Sequence, residues 1–485
     1  MGSHSRARQQ ENSSSVTLGI DHSKQGPIGG LGFLSISQSF PKTADFACRA
    51  FHPLLYLKML NVYDLHFKKE LLPLFDFLHN EFSRMVLEDL LSDIPGSVDE
   101  IYERQDILKA LLKHRHLYVP FSYSKAEFNQ VYGYIEEKRN KGTHLSGNSL
   151  KIHLLLSRNE LNRERGSLYQ LVHFFNKINE FYFTRLDTDA LPSAFAHRVE
   201  NIRWMMTDLE VERYYRIGRK RAFSLLEATR LLELLYTKID NGTMTVFWKD
   251  FFLFEACYSI SKGIEAHNFV FPVFTGEGLS IDGLYHPLLK HPVRNSIGVR
   301  DAVTLITGPN MSGKSTLLKS IGLCVYLAHL GLGVPAQECR LPFFDAISIA
   351  INLQDDMKNG YSHFMNEIQT LKKVIVEARN GRRCFVIFDE LFRGTNIEDA
   401  LAIFKMTMVG LTGFQKSFFF ISTHLHQLEE TAREHAINAC CIECKLDNGM
   451  PIFTYKLIPG WSDLKIGQLI FRQEGLDDLL RPSAG

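Results

Sequence analysis

Apolar positions in this chain fall into three kinds of segment. Short continuous runs are the first: Val303 to Ile306, Cys384 to Phe388 and Phe418 to Ile421. Runs of that length without alternation read as parallel strands buried on both faces. Apolar residues at helical spacing are the second. Thr316 to Leu330 and Phe364 to Ala378 predict helices, and helical patterns recur between about 120 and 240. The third kind is the leading segment, 1–45, rich in Gly, Ser, Gln and Lys without any period, which predicts disorder. The expected organisation is therefore a disordered 1–45, a helical region over 46–275 and an α/β domain over 276–485. No run of about 18 or more apolar residues occurs, so no membrane-spanning helix is expected.

The junction of the first strand and its following helix carries chemistry. Gly308 to Ser315 fits G-x-x-x-x-G-K-[ST], with a strand before it and a helix after it. That is the context of a phosphate-binding loop, or P-loop. Gly308 and Gly313 let the backbone curl until successive N–H groups face one anion. The helix beyond adds the positive end of its dipole. In this reading Lys314 reaches the β and γ phosphates and Ser315 ligates Mg²⁺; a structural Gly-rich turn is the competing one. The second strand ends in Asp389 and Glu390, at the carboxyl end where open α/β sheets bind ligands. Asp389 fits behind Mg²⁺, and Glu390 fits as the group that polarises an attacking water. An exposed acidic pair is the alternative. His424 follows the third strand, where its imidazole reaches a γ-phosphate oxygen. A satisfied surface histidine is the other reading. Together these residues specify an ATPase that works by positioned water.

The same segments resemble one family. Asn359 to Glu367 resembles the S-T-F-M-x-E signature of the MutS mismatch-repair ATPases, and Thr307 to Thr316 is close to their T-G-P-N-M-G-G-K-S-T. Asp389 to Thr395, Ser422-Thr423-His424, Val334 to Ala336 and Tyr455 to Gly460 resemble further family segments, in the family's order. Weaker likeness extends over Ser83 to Leu112 and Phe251 to Pro287. The resemblance implies an α-helical lever domain followed by an α/β P-loop ABC-type ATPase domain, with ATP and Mg²⁺ as cofactors. It places Gly308, Pro309, Asn310, Met311, Ser312, Gly313, Lys314, Ser315 and Thr316 around the phosphates. It also places Ser362 at a helix N-terminus that faces the partner subunit's nucleotide, which implies a homodimer through the ATPase domains. Three departures stand out. No leading domain with a Phe-x-Glu mismatch reader is recognisable, so a short member is expected. The lever region is short for a DNA clamp. The family's F-V-P-N-D, which helps hold adenine, is Pro292 to Ser296 here and lacks the aromatic.

Net charge of +1 makes any nucleic-acid contact a local matter. Arg213, Arg216, Arg219, Lys220 and Arg221, with two tyrosines between them, form the best basic patch; a solvated helix face is the competing reading. Eight cysteines without a secretory signal are expected to be reduced thiols in a cytoplasm. Cys441-x-x-Cys444 has no second pair to complete a tetrahedral metal site. The expected function is an ATP-hydrolysing, nucleotide-gated DNA-binding protein that recognises a DNA structure other than a simple mismatch. The alternative is an ATP-driven conformational factor acting on a protein or ribonucleoprotein partner.

Overall fold

A long helix buried on every side organises the first half of the protein. Helices α1 (Glu81–Ser92), α2 (Val98–Lys113), α3 (Lys125–Asn140), α4 (Gly147–Leu156), α5 (Arg158–Ile178), α6 (Ser193–Asp208), α7 (Val211–Lys220) and α8 (Leu225–Asp240) precede α9 (Thr243–Ala266). The computed structural model describes residues 58–114, 123–142, 145–351, 363–392, 394–447, 450–462 and 466–480. The disorder expected over 1–45 and the expected role of Ser362 fall outside those residues.

Buried side chains run along almost the whole of α9, from Met244 to Ile264, which marks an interior helix rather than an amphipathic surface one. Helices α1, α2, α6 and α8 pack on it. Phe82, Phe128, Tyr132, Trp248 and Phe252 interlock where α1 and α3 meet it. Helix starts are set locally. Ser124 with Glu127 and Ser224 with Glu227 form reciprocal caps that satisfy the first amides of α3 and α8.

Eleven strands are found among the described residues: β1 (Lys58–Asn61), β2 (Val273–Phe274), β3 (Leu279–Leu284), β4 (Asn295–Val299), β5 (Val303–Thr307), β6 (Glu338–Leu341), β7 (Ala346–Ala350), β8 (Cys384–Asp389), β9 (Phe418–Ser422), β10 (Asn438–Asp447) and β11 (Met450–Pro459). The main sheet has the order β1-β7-β8-β9-β5-β10-β11, parallel except for the antiparallel β10–β11 hairpin. A smaller sheet, β2-β6-β3-β4, lies beside it in sequence. Strands β5, β7 and β9 are buried throughout, as parallel strands covered on both faces are. Helices α10 (Lys314–His329), α11 (His363–Arg379), α12 (Ile397–Leu411), α13 (Glu429–Glu434), α14 (Ile466–Gln473) and α15 (Leu476–Leu479) complete the region. Helical segments thus precede a mixed-sheet α/β region. Strands β1 and β2 are exceptions to the expected order: both lie within 46–275, yet β1 pairs in parallel with β7 and β2 with β6.

Helix α10 joins the two regions. Its Tyr326 hydroxyl donates to Leu91 O at 2.9 Å. Arg104 of α2 donates through Nη1 to Leu90 O, Asp93 O and Leu330 O at 3.0–3.2 Å. Asp64 accepts the Ile351 amide at 2.7 Å beyond β7.

His329, fully buried at the end of α10, bears on pH stability. One ring nitrogen, Nδ1, lies 2.8 Å from Val325 O, and Nε2 accepts the Phe344 amide at 3.0 Å. Burial pushes its pKa from 6.5 down to about 4. The unfolded chain therefore binds a proton that the folded chain refuses between those values. Stability is full above pH 6.5 and falls as pH drops toward about 4, by about 3 kcal/mol from this group. Urea unfolding of the parent and His329→Gln at pH 7 and pH 5 checks this: the variant should lose less stability on acidification.

Candidate functional site

The turn after β5 closes a cradle at the N-terminus of α10. Gly308 has φ 139° and Gly313, the residue before the first turn of α10, has φ 98°. Both lie where a Cβ is disfavoured, and a Cβ on Gly308 would sit 3.0 Å from Ser312 Oγ. Met311 adopts φ 69° and its side chain is 74% exposed at the tip. Ser312 Oγ is buried without a hydrogen-bond partner among the described residues. Lys314 is 5% exposed, and its Nζ donates back to Gly308 O at 2.8 Å and Pro309 O at 3.1 Å. Thr316 follows Ser315 in the first turn of α10.

Adjacent strand ends bring the acids to that cradle. Ser315 Oγ donates to Asp389 Oδ2 at 2.5 Å. Asp389 stands opposite Ser422 in the β8–β9 register, and the Ser422 hydroxyl donates to Asp389 Oδ1. The same hydroxyl accepts the Glu390 amide at 2.9 Å. Glu390 turns off the strand with φ 52° and is 6% exposed. Its carboxylate lies 3.5 Å from Lys314 Nζ through Oε1 and 3.5 Å from His424 Nδ1 through Oε2. Thr423 N donates to Ile306 O at 3.0 Å, which fixes the end of β9 against β5 beneath His424. A cavity of about 280 Å³ opens beside the cradle, lined by Gly308 to Met311, His424, His426, Trp461, Ile466 and Ile470 among others. The structure thus brings Lys314, Ser315, Asp389, Glu390 and His424 together.

Sequence reasoning missed two residues on the other flank of β5. Strand β11 bulges opposite the Ile442–Cys444 stretch of β10. Within the bulge Tyr455 has φ 57°, a rare backbone for an aromatic residue. Asn295 braces it, donating through Nδ2 to Tyr455 O at 3.0 Å and accepting the Leu457 amide at 2.8 Å. The half-exposed Tyr455 ring lies against Gly313, where a Cβ would come within 3.2 Å of Cδ1. Asn295 belongs to the segment that lacks the family aromatic. The available signal was that Tyr455 opens the segment Tyr455 to Gly460, which resembles the family; its nearness to Asn295, 160 residues earlier, is not marked in the sequence.

Residues 304–477 match MutS domain V. A DNA mismatch repair protein MutS of Streptococcus sanguinis is 30% identical over 319 residues, 64% of this chain and 35% of that protein. Its counterpart in Thermus thermophilus is 33% identical over 262 residues, covering 53% of this chain and 29% of that one. That of Thermotoga maritima is 26% identical over 332 residues, covering 66% and 42%. The chain belongs to the MutS family. It spans 29% to 42% of the length of these three relatives.

In this MutS-family chain the basic patch lies on α7 and is partly neutralised. Arg213 pairs with Glu210, Arg216 with Glu212 and Arg221 with Glu227. Arg219 lies over the Tyr215 ring at 5.9 Å, and Tyr215 stacks on His173 at 5.7 Å. Arg219 and Lys220 are exposed. Among the described residues no group of three or more His, Cys, Asp or Glu side chains is arranged to hold a metal ion. Cys440, Cys441 and Cys444 lie on β10 and form no disulfide among the described residues. No described helix is long and apolar enough to cross a membrane.

Proposed function

We propose that the protein is an ATP-hydrolysing, nucleotide-gated DNA-binding protein with an ABC-type P-loop domain. The observation that carries this is the convergence of Lys314, Ser315, Asp389, Glu390 and His424 at the N-terminus of α10. The loop amides and the helix dipole favour a polyphosphate there. Ser315 and Asp389 would hold Mg²⁺, a hard cation suited to their oxygens, which would neutralise charge on the β and γ phosphates. Glu390, buried between a lysine and a histidine, takes the water proton, and His424 contacts the γ-phosphate. With the acids at the end of β8, the opposite flank of the cradle, toward β10 and β11, would be left for the nucleotide's adenine. Tyr455, whose ring lies beside Gly313, would supply there the aromatic contact that Pro292 to Ser296 lack.

Helix α10 runs from this cradle to Leu91 and Arg104 of the helical region. A shift at its N-terminus is thereby passed to α1 and α2, a packed element that nucleotide can bias. Helix α11 begins one residue after Ser362, and in a homodimer joined through the ATPase domains its N-terminus would face the partner's phosphates. The DNA reading rests on the family and on Arg219, Lys220 and Tyr215 of α7, a surface able to pair phosphates and stack a base. The carboxylates beside Arg213, Arg216 and Arg221 favour the second reading, a conformational factor for a protein or ribonucleoprotein partner.

One experiment separates them. ATP turnover is measured alone and with duplex, single-stranded and junction DNA, RNA, and across salt. Stimulation by a DNA structure that fades with salt, and is lost in Arg219→Ala/Lys220→Ala, supports DNA binding. Turnover indifferent to every nucleic acid favours the second reading, and no turnover at all overturns both.

A further inference from the structure

Two non-glycine residues with left-handed backbone stand two apart just after β8: Glu390 at φ 52° and Phe392 at φ 68°. Such conformations persist only where surroundings hold them, and they cluster where geometry matters to function. The turn they form is anchored at both ends by a side chain from another element. At its start, the Glu390 amide donates to Ser422 Oγ of β9. At its end, the Phe392 amide donates to Glu367 Oε2 at 2.8 Å.

Glu367 belongs to α11, more than twenty residues earlier in the chain, and is only 1% exposed. A carboxylate is costly to bury, and accepting a backbone amide offsets part of that cost. Apolar packing surrounds the same turn. Phe392 meets Phe364 edge-on at 6.2 Å and Phe404 of α12 at 6.2 Å, and Leu391 is buried. Gly394 has no room for a Cβ, which would fall 2.8 Å from Phe364 Cβ. Helix α11 and the turn that carries Glu390 therefore form one packed unit, tied by a buried side-chain acceptor.

We propose that Glu367 is a positioning residue for the hydrolysis: through the Phe392 amide it fixes the turn that aims the Glu390 carboxylate. The proposal rests on the reading of Glu390 as the group that activates water. Glu367 touches no reacting atom and holds no phosphate. Its loss leaves a buried amide without that acceptor and releases a backbone that left-handed residues do not favour. The Glu390 carboxylate then drifts from its place between Lys314 and His424. Misplacement of a catalytic group by about 1 Å costs on the order of 10²-fold in rate. The cradle for the phosphates is built from β5, α10 and β9, so ATP affinity does not depend on Glu367. Because α11 also begins at the segment proposed to face a partner subunit, the tie gives that face a direct hold on the chain's own Glu390.

The test compares kcat and the ATP dissociation constant in four variants of the full chain. Glu367→Leu keeps the volume and removes the acceptor. Glu367→Gln keeps a neutral acceptor. Glu390→Gln and the double variant Glu367→Leu/Glu390→Gln complete a cycle. The expected result is a kcat fall of about 10- to 100-fold for Glu367→Leu with ATP affinity held within about twofold, and near-parent turnover for Glu367→Gln. In the Glu390→Gln background, Glu367→Leu adds no further loss, because both changes act on one group. Equal losses of affinity and turnover would mean a merely structural residue and overturn the proposal. So would unchanged kcat, or a full additional loss in the double variant. If Glu367→Leu does not fold, Glu367→Ala decides: loss of turnover with ATP affinity unchanged in a folded chain supports the positioning role, and parent turnover overturns it. A parent that binds no ATP removes the ATPase reading and this proposal together, whereas a parent that turns over while Glu367→Leu matches it removes this proposal alone.

Discussion

Glu390→Gln is expected to bind ATP and fail to hydrolyse it. The amide keeps the size of the carboxylate and can still accept a hydrogen bond from the His424 side. It cannot take a proton from water. Turnover should fall by on the order of 10²-fold or more, the contribution expected of a positioned general base. Affinity for ATP should hold or rise, since a negative charge 3.5 Å from Lys314 Nζ is gone and that cation is freed for phosphate. Rapid-quench turnover beside equilibrium nucleotide binding measures both quantities. A variant that hydrolyses at the parent rate would take Glu390 out of the chemistry and leave Asp389 as the acid to examine.

That prediction was available from sequence because it depends on periodicity. Continuous apolar runs ending in Asp389-Glu390 and in Ser422-Thr423-His424 could only be interior strands, and the ends of parallel interior strands meet. The loop from Gly308 to Lys314 carried its own backbone logic. Other features depend on what folding brings together. The bulge at Tyr455 and its brace from Asn295 link residues 160 apart, and no local pattern marks them. The Glu367 tie to Phe392 is the same kind of contact. Strand β1 spans four residues, too few for a period, and owes its strand state to the open edge of β7. The α7 patch was visible as five cations. Its neutralisation was legible only in part: Glu210 and Glu212 meet Arg213 and Arg216 at i,i+3 and i,i+4, which needs only the helix, whereas Arg221 meets Glu227 across the turn from α7 into α8.

Lys314→Ala should produce the opposite phenotype to Glu390→Gln: loss of ATP binding itself. In the structure the ammonium is buried and donates to Gly308 O and Pro309 O, neutral acceptors in its own loop. A triphosphate offers charged acceptors, and hydrogen bonds between ions are roughly twice as strong as neutral ones. The exchange favours binding because the lysine has been desolvated already. Alanine removes the cation and leaves the loop carbonyls and Glu390 lining a cradle with no positive side chain at its centre. The dissociation constant for Mg-ATP should rise by about 100-fold, close to 2.7 kcal/mol. Lys314→Arg should not restore it, since a planar guanidinium does not fit where a compact ammonium is enclosed by two carbonyls. Titration of a fluorescent ATP analogue into parent and variants, with circular dichroism confirming that each is folded, gives the comparison. Unchanged affinity in a folded Lys314→Ala chain would reduce the Lys314–Glu390 pair to a structural ion pair, and with it the reading of this loop as a nucleotide site.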